Sequence, residues 1–185
     1  QYLTTGTMII KESTSGGYST SSLMQGFGVG AGYTNVNNQL ILLGSYDLIA
    51  RTIDSLPFMN VEYVTKGRFK TRNIYRNTPI VVEYTHIAPS AYNQLFRCTL
   101  QGNGSLLINS EDEKSSFSYV TQYGQELKTS LFTVCIYPTN MPMKPGQHVY
   151  FRFRSRESLT DEFASRLQLN FVTEQSTVLG IQLVS

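Results

Sequence analysis

Tryptophan is absent from this 185-residue chain, and histidine and cysteine occur only twice each. The two histidines, His86 and His148, stand far apart and belong to no H-E-x-x-H or Cys/His cluster, so the sequence offers no zinc site. No G-x-S-x-G elbow occurs, and neither cysteine has a histidine near it in sequence. The glycine-rich stretch over 13–34 lacks both G-x-G-x-x-G and a terminal G-K-[ST], so it is not a phosphate cradle. Glu111-Asp112-Glu113 lacks the alternating oxygen ligands and the glycine of a calcium loop and reads as a solvated turn. No catalytic residue, cofactor site or metal site is expected. Apolar runs stop well short of the ~18 residues that a membrane helix needs.

Charge is scarce as well. Charged residues make up 15% of the chain, against about 25% in an average domain. Ser, Thr, Asn and Gln fill the gap, a surface style common outside the cytoplasm. A net charge of +2 is too small to argue for nucleic acid. Cys98 and Cys135 both lie in strand-like runs, LFRCTLQ and LFTVCIYP. They read as buried thiols, or else as a disulfide in an oxidising compartment; nothing in their spacing pairs them.

Apolar content of 41% in a chain of this length is enough for one globular domain with a core. A first strand is expected over 2–11, then a flexible Gly/Ser-rich loop over 13–34. After Ser45, the residues Leu48, Ile49, Thr52, Ile53 and Leu56 fall on one helical stripe. Ser45 caps that helix, Asp47 suits its positive end, and Pro57 stops it. Strands follow around Val61, Tyr63 and Tyr75, with a turn at Gly67, and again from Ile80. Gly102-Asn103-Gly104 predicts a hairpin, and further strands are expected near Tyr119 and over 131–137. Residues 148–156 alternate sharply: Val149, Phe151 and Phe153 point one way, and His148, Tyr150, Arg152, Arg154 and Arg156 the other. Ser158 then caps a helix, with a Glu162–Arg166 pair on its surface, and strands over 167–173 and 178–184 close the chain. Strands interrupted by about three short helices read as a single α+β domain over 1–185, with a mixed or antiparallel sheet.

The stretch Asn35–Glu83 carries more than secondary structure. Val36, Asn38, Leu40, Leu42, Leu43, Ser45, Leu48, Ile49, Ile53, Leu56, Val61, Tyr63, Gly67, Arg68, Tyr75 and Pro79 keep a fixed order and spacing. That order resembles the Wzz/GumC-type chain-length determinants, the polysaccharide co-polymerases of bacterial inner membranes, and especially those fused to capsule tyrosine autokinases. Gln39 and Gly44 depart from that pattern, which usually has Glu and a Lys or Arg there. The resemblance implies the periplasmic base domain of a membrane-anchored protein, whose flanking transmembrane and long helices lie outside these residues. It also implies a homo-oligomer that works with the polysaccharide polymerase and export machinery, touches polysaccharide itself or not, and sets polymer length without catalysis. A tyrosine kinase, if the parent protein has one, would lie outside these residues, since no P-loop is present. Asn38, Gln39, Leu42 and Arg51, on the helical segment, are the implied subunit contacts.

Two basic features stand beside the resemblance. Lys66, Arg68, Lys70 and Arg72 follow the helices, and Arg152, Arg154 and Arg156 share the polar side of the 148–156 run. Either set can face anionic headgroups, an acidic polysaccharide or a neighbouring subunit's acids, or form an ordinary solvated face. A module of another class, an extracytoplasmic carbohydrate-binding or adhesion domain, also suits the strand content and the 12 tyrosines.

Overall fold

A computed structural model of the chain describes residues 3–9, 40–66, 71–74, 77–111, 117–172 and 178–184. The expected glycine-rich loop over 13–34 and the turn at Gly67 lie outside them. Twelve strands appear among the described residues, arranged in three separate sheets in which every ladder is antiparallel. Against them stand two α-helices, helical residues 40–43 and two single 3₁₀ turns, at Pro57–Met59 and Pro89–Ala91. The α+β expectation is therefore overturned, and the chain is predominantly β. The reason lies in the middle hundred residues, whose alternating runs bury one side against a second sheet instead of extending one sheet beneath helices.

Two compact units divide the chain: Gln1–Ser55 together with Arg156–Ser185, and Leu56–Ser155 between them. The chain thus passes from one unit to the other twice.

The middle unit is a sandwich. Its larger sheet has the order β3-β2-β10-β5-β6-β7, with β2 at Val61–Lys66, β3 at Thr71–Ile74, β5 at Phe96–Leu100, β6 at Leu106–Ser110, β7 at Ser118–Thr121 and β10 at His148–Phe153. The smaller has the order β4-β9-β8, from Ile80–Ile87, Phe132–Pro138 and Glu126–Lys128. Period-2 alternation puts Phe96, Cys98 and Leu100 of β5 inside, with Leu106 and Ile108 of β6 and Val149, Phe151 and Phe153 of β10. Ile80 and Val82 of β4 and Phe132, Val134 and Ile136 of β9 meet them from the other sheet. Phe96 is the centre: its ring lies 5.2 Å from Phe132 across the sandwich, 5.5 Å from Phe151 and 5.7 Å from Phe153, within the 4.5–7 Å favoured by aromatic pairs. The expected hairpin is present, with Phe96–Leu100 registered against Leu106–Ser110. Gly104 takes φ +82° at its turn, a conformation that side-chain-bearing residues rarely adopt. Strand β8 was not foreseen; three residues are too few to show a period.

In the other unit, β1 (Leu3–Ile9), β12 (Val178–Val184) and β11 (Leu167–Phe171) form a sheet in the order β1-β12-β11. Helices α1 (Tyr46–Asp54) and α2 (Arg156–Arg166) pack on each other and α2 on β12. Among the described residues, Ile49, Ala50, Ile53, Leu159 and Leu179 are its buried apolar side chains. Helix α2 begins at Arg156, three residues earlier than a Ser158 cap implies, so Ser158 lies inside its first turn. Arg154 and Arg156 consequently do not extend strand β10. The surface pair on α2 is as expected, with Arg166 Nη1 2.6 Å from Glu162 Oε1.

The sandwich should survive excision. Its two ends are paired with each other, Phe153 opposite Val61 and the Arg154 N–H donating to the Asn60 carbonyl at 2.8 Å. A polypeptide of residues 56–155 is expected to unfold in one cooperative urea transition. In that fragment Phe96→Ala should lower the unfolding free energy by about 3–5 kcal/mol, the usual cost of emptying a buried phenyl site. Non-cooperative melting of the fragment would show that the sandwich depends on the rest of the chain.

Candidate functional site

Two features have the character of a site: an apolar helical surface and a set of arginines. Residues 40–43 make a helical turn closed by the Gly44 N–H on the Leu40 carbonyl at 3.0 Å. Ser45 then caps α1, its hydroxyl oxygen accepting from the Leu48 N–H at 3.4 Å, as the sequence suggests. The buried stripe is narrower than expected: Ile49 and Ile53 are inside, joined by Ala50, whereas Leu48 is 39% exposed. Ile41, Leu42 and Tyr46 are exposed too, at 68%, 58% and 49%. Four large apolar side chains on one short segment are thus left open to solvent. Leu42, an expected subunit contact, belongs to this surface. Arg51, another, is exposed on α1 and held 2.8 Å from Asp47. Asn38 and Gln39 lie outside the described residues.

The arginines are not arranged as one cationic face. Arg152 of β10 stands opposite Glu62 of β2 in the register. Its Nε donates to Glu62 Oε2 at 2.5 Å and its Nη2 to Oε1 at 3.0 Å, the bidentate geometry that a planar guanidinium favours. Arg154, beyond the strand end, donates from Nη1 to the same Oε2 at 3.0 Å. Burial pushes the Glu62 carboxyl up, but the hydrogen bonds from Arg152 and Arg154 outweigh it and hold the group below its ordinary range. Arg156, the first residue of α2, makes a second bidentate pair with Asp54 of α1, at 2.8 and 3.0 Å. The Arg156 hydrogen bond lowers the Asp54 carboxyl, and the same bond raises the guanidinium. Three arginines therefore meet two carboxylates. Sequence reasoning missed Glu62 and Asp54, because they sit 90 and 102 residues from their partners and only the fold joins them.

Of the second basic feature, Lys66 ends β2 and Arg72 lies in β3, while Arg68 and Lys70 fall outside the described residues. Both cysteines are free thiols, and burial pushes the Cys98 thiol up to about 12. Among the described residues, no group of three or more His, Cys, Asp or Glu side chains is placed to hold a metal ion. None of the described helices is long and apolar enough to cross a membrane. Searches for similar proteins found no matching family model and no matching curated protein.

Glu62 gives a pH prediction. Its folded-state pKa is depressed, so its contribution to stability is complete above the unfolded value, about 4.3, and is lost as the pH falls through the lower folded value. In urea titrations of the full chain from pH 7 to pH 3, the wild type should lose stability below about pH 4.5. Glu62→Gln should be less stable by roughly 1–3 kcal/mol at pH 7 and should show a shallower acid decline. Asp47→Asn, which opens an exposed i,i+4 pair, should change stability by less than about 0.5 kcal/mol. Equal effects from the two substitutions would mean that the Glu62 cluster is no stronger than a surface pair.

Proposed function

We propose that this chain is the extracytoplasmic scaffold part of a membrane-anchored protein that governs the length or export of a surface polysaccharide. It acts by self-association and is not itself catalytic. The order of residues from Asn35 to Glu83 supports the polysaccharide assignment. The observation that carries the self-association is the exposed apolar set Ile41, Leu42, Tyr46 and Leu48 beside the buried stripe of α1. Apolar side chains grouped on a surface mark a place where another protein surface binds. Copies associating there would present the polymerase with a repeated frame, and chain length would follow from the geometry of that frame.

The test uses the membrane-anchored parent protein in the producing cell. Leu42 is 58% exposed, so Leu42→Asp should leave the thermal melt of the isolated chain within a few degrees of wild type. In the cell, the same substitution should broaden or erase the modal length of the polysaccharide on a gel and reduce cross-linked oligomers. An unchanged length ladder, with the variant folded and expressed, would rule the reading out.

A second reading has one observation in its favour. On the outer face of the three-stranded sheet, the exposed Tyr137 ring lies opposite Val81, with Glu83 two residues along the same face. An open aromatic ring beside a carboxylate is a plain platform for a sugar, and two-sheet sandwiches are frequent lectin frames. Binding of a defined glycan that is lost in Tyr137→Ala, with an unchanged polysaccharide ladder in Leu42→Asp, would favour a binding module over a scaffold.

A further inference from the structure

Strand β1 has an unusual edge. Among the described residues it is paired on one side only, with β12, over seven consecutive residue pairs from Leu3↔Val184 to Ile9↔Val178 without a bulge. All seven of its residues are exposed. Soluble proteins protect such edges with charge, proline, bulges or a covering element. The sequence Leu-Thr-Thr-Gly-Thr-Met-Ile has no charge and no proline, and β-branched residues fill four of its seven positions.

The same seven residues are also nearly palindromic. If a second β1 runs antiparallel beside the first about a twofold axis at Gly6, Leu3 falls opposite Ile9, Thr4 opposite Met8, and Thr5 opposite Thr7. Pleating then sorts the pairs. Leu3, Thr5, Thr7 and Ile9 share one face, so it shows apolar against apolar at both ends and Thr against Thr in the middle. No charge is buried and no like charges meet. A one-residue slip in this register would place Leu3 opposite Met8 and Thr5 opposite Gly6, and would send the two copies' Leu3–Ile9 faces to opposite sides of the sheet, so the pattern favours one alignment. Gly6, at the axis, has nothing within 4 Å of where a Cβ would stand.

We propose that β1 is an isologous docking edge for a second copy of this chain, joining two three-stranded sheets into one of six strands. The bonding is the backbone pairing of an antiparallel ladder, and specificity comes from the self-complementary side chains. The proposal deepens the self-association reading by naming a contact separate from the Ile41–Leu48 surface. It does not depend on polysaccharide.

Register-specific cross-linking tests it, using the full 185-residue chain with Cys135→Ser, since Cys98 is buried and inert. Gly6→Cys should form a disulfide-linked dimer under mild oxidation, because the two residues face each other at about 5 Å. Leu3→Cys alone should not, as its own copy is six residues along the partner strand, roughly 20 Å away. An equimolar mixture of Leu3→Cys and Ile9→Cys chains should cross-link to each other. Thr5→Lys, which puts a charge on the edge, should reduce the Gly6→Cys dimer at least tenfold while the circular-dichroism melt stays at the wild-type value. The same Gly6→Cys dimer should form undiminished in Leu42→Asp, which separates this edge from the helical surface. Cross-linking of Leu3→Cys as readily as Gly6→Cys, or no dimer of Gly6→Cys at millimolar chain, would overturn the proposal.

Discussion

The closure of two sheets around Phe96 is the contact on which the rest of the sandwich depends. Its ring touches Phe132 on the opposite sheet and Phe151 and Phe153 on the neighbouring strand, and the ring of Phe117 lies 5.9 Å away. Those positions come from four separate stretches of sequence. Once the two sheets are pressed together there, the inner sides of β4, β5, β6, β9 and β10 are fixed, and so is what each strand shows to solvent. Arg152 and Glu62 are outward residues of β10 and β2 whose meeting follows from the Phe151–Tyr63 and Phe153–Val61 register beneath them. The carboxylate cluster is thus a consequence of aromatic packing rather than a cause of it.

The unit built from the two ends of the chain works differently. Among the described residues its buried apolar set is Ile49, Ala50, Ile53, Leu159 and Leu179, while Leu3, Met8, Ile9, Ile41, Leu42, Tyr46 and Leu48 face outward. The sandwich, by contrast, buries Phe96, Phe132, Phe151 and Phe153 together and pairs Arg152 and Arg154 with its own Glu62.

How much of this could be read in advance depends on the range of the interaction. The Ser45 cap, the Gly102-Asn103-Gly104 hairpin and the Val149–Phe151–Phe153 inner face are set by neighbours within a few residues, and the sequence shows them clearly. The exposure of Leu48 in place of Ala50 turns on which neighbour α1 packs against, and a hydrophobic stripe does not specify that. Tyr150 takes the polar side of β10 and is nonetheless 6% exposed. Alternation gives the side of a strand, not what covers it. The division of strands between two sheets, and the partners of Arg152, Arg154 and Arg156, depend on pairings across the whole sandwich. Local patterns contain no record of them, and the α+β expectation failed for that reason.

The double passage of the chain between its two units has a consequence for synthesis. Residues 56–155 are contiguous, and their nearest pairings are hairpins, so the sandwich can close as soon as its last strand leaves the ribosome. The outer unit cannot. Strand β1 must wait for β12, more than a hundred and sixty residues later, and α1 must wait for α2. During that interval the uncharged β1 edge and the apolar side chains of α1 are solvent-facing in every nascent copy. Neighbouring chains on one messenger expose those surfaces to one another before any of them is finished, so the risk of aggregation is concentrated in that one window.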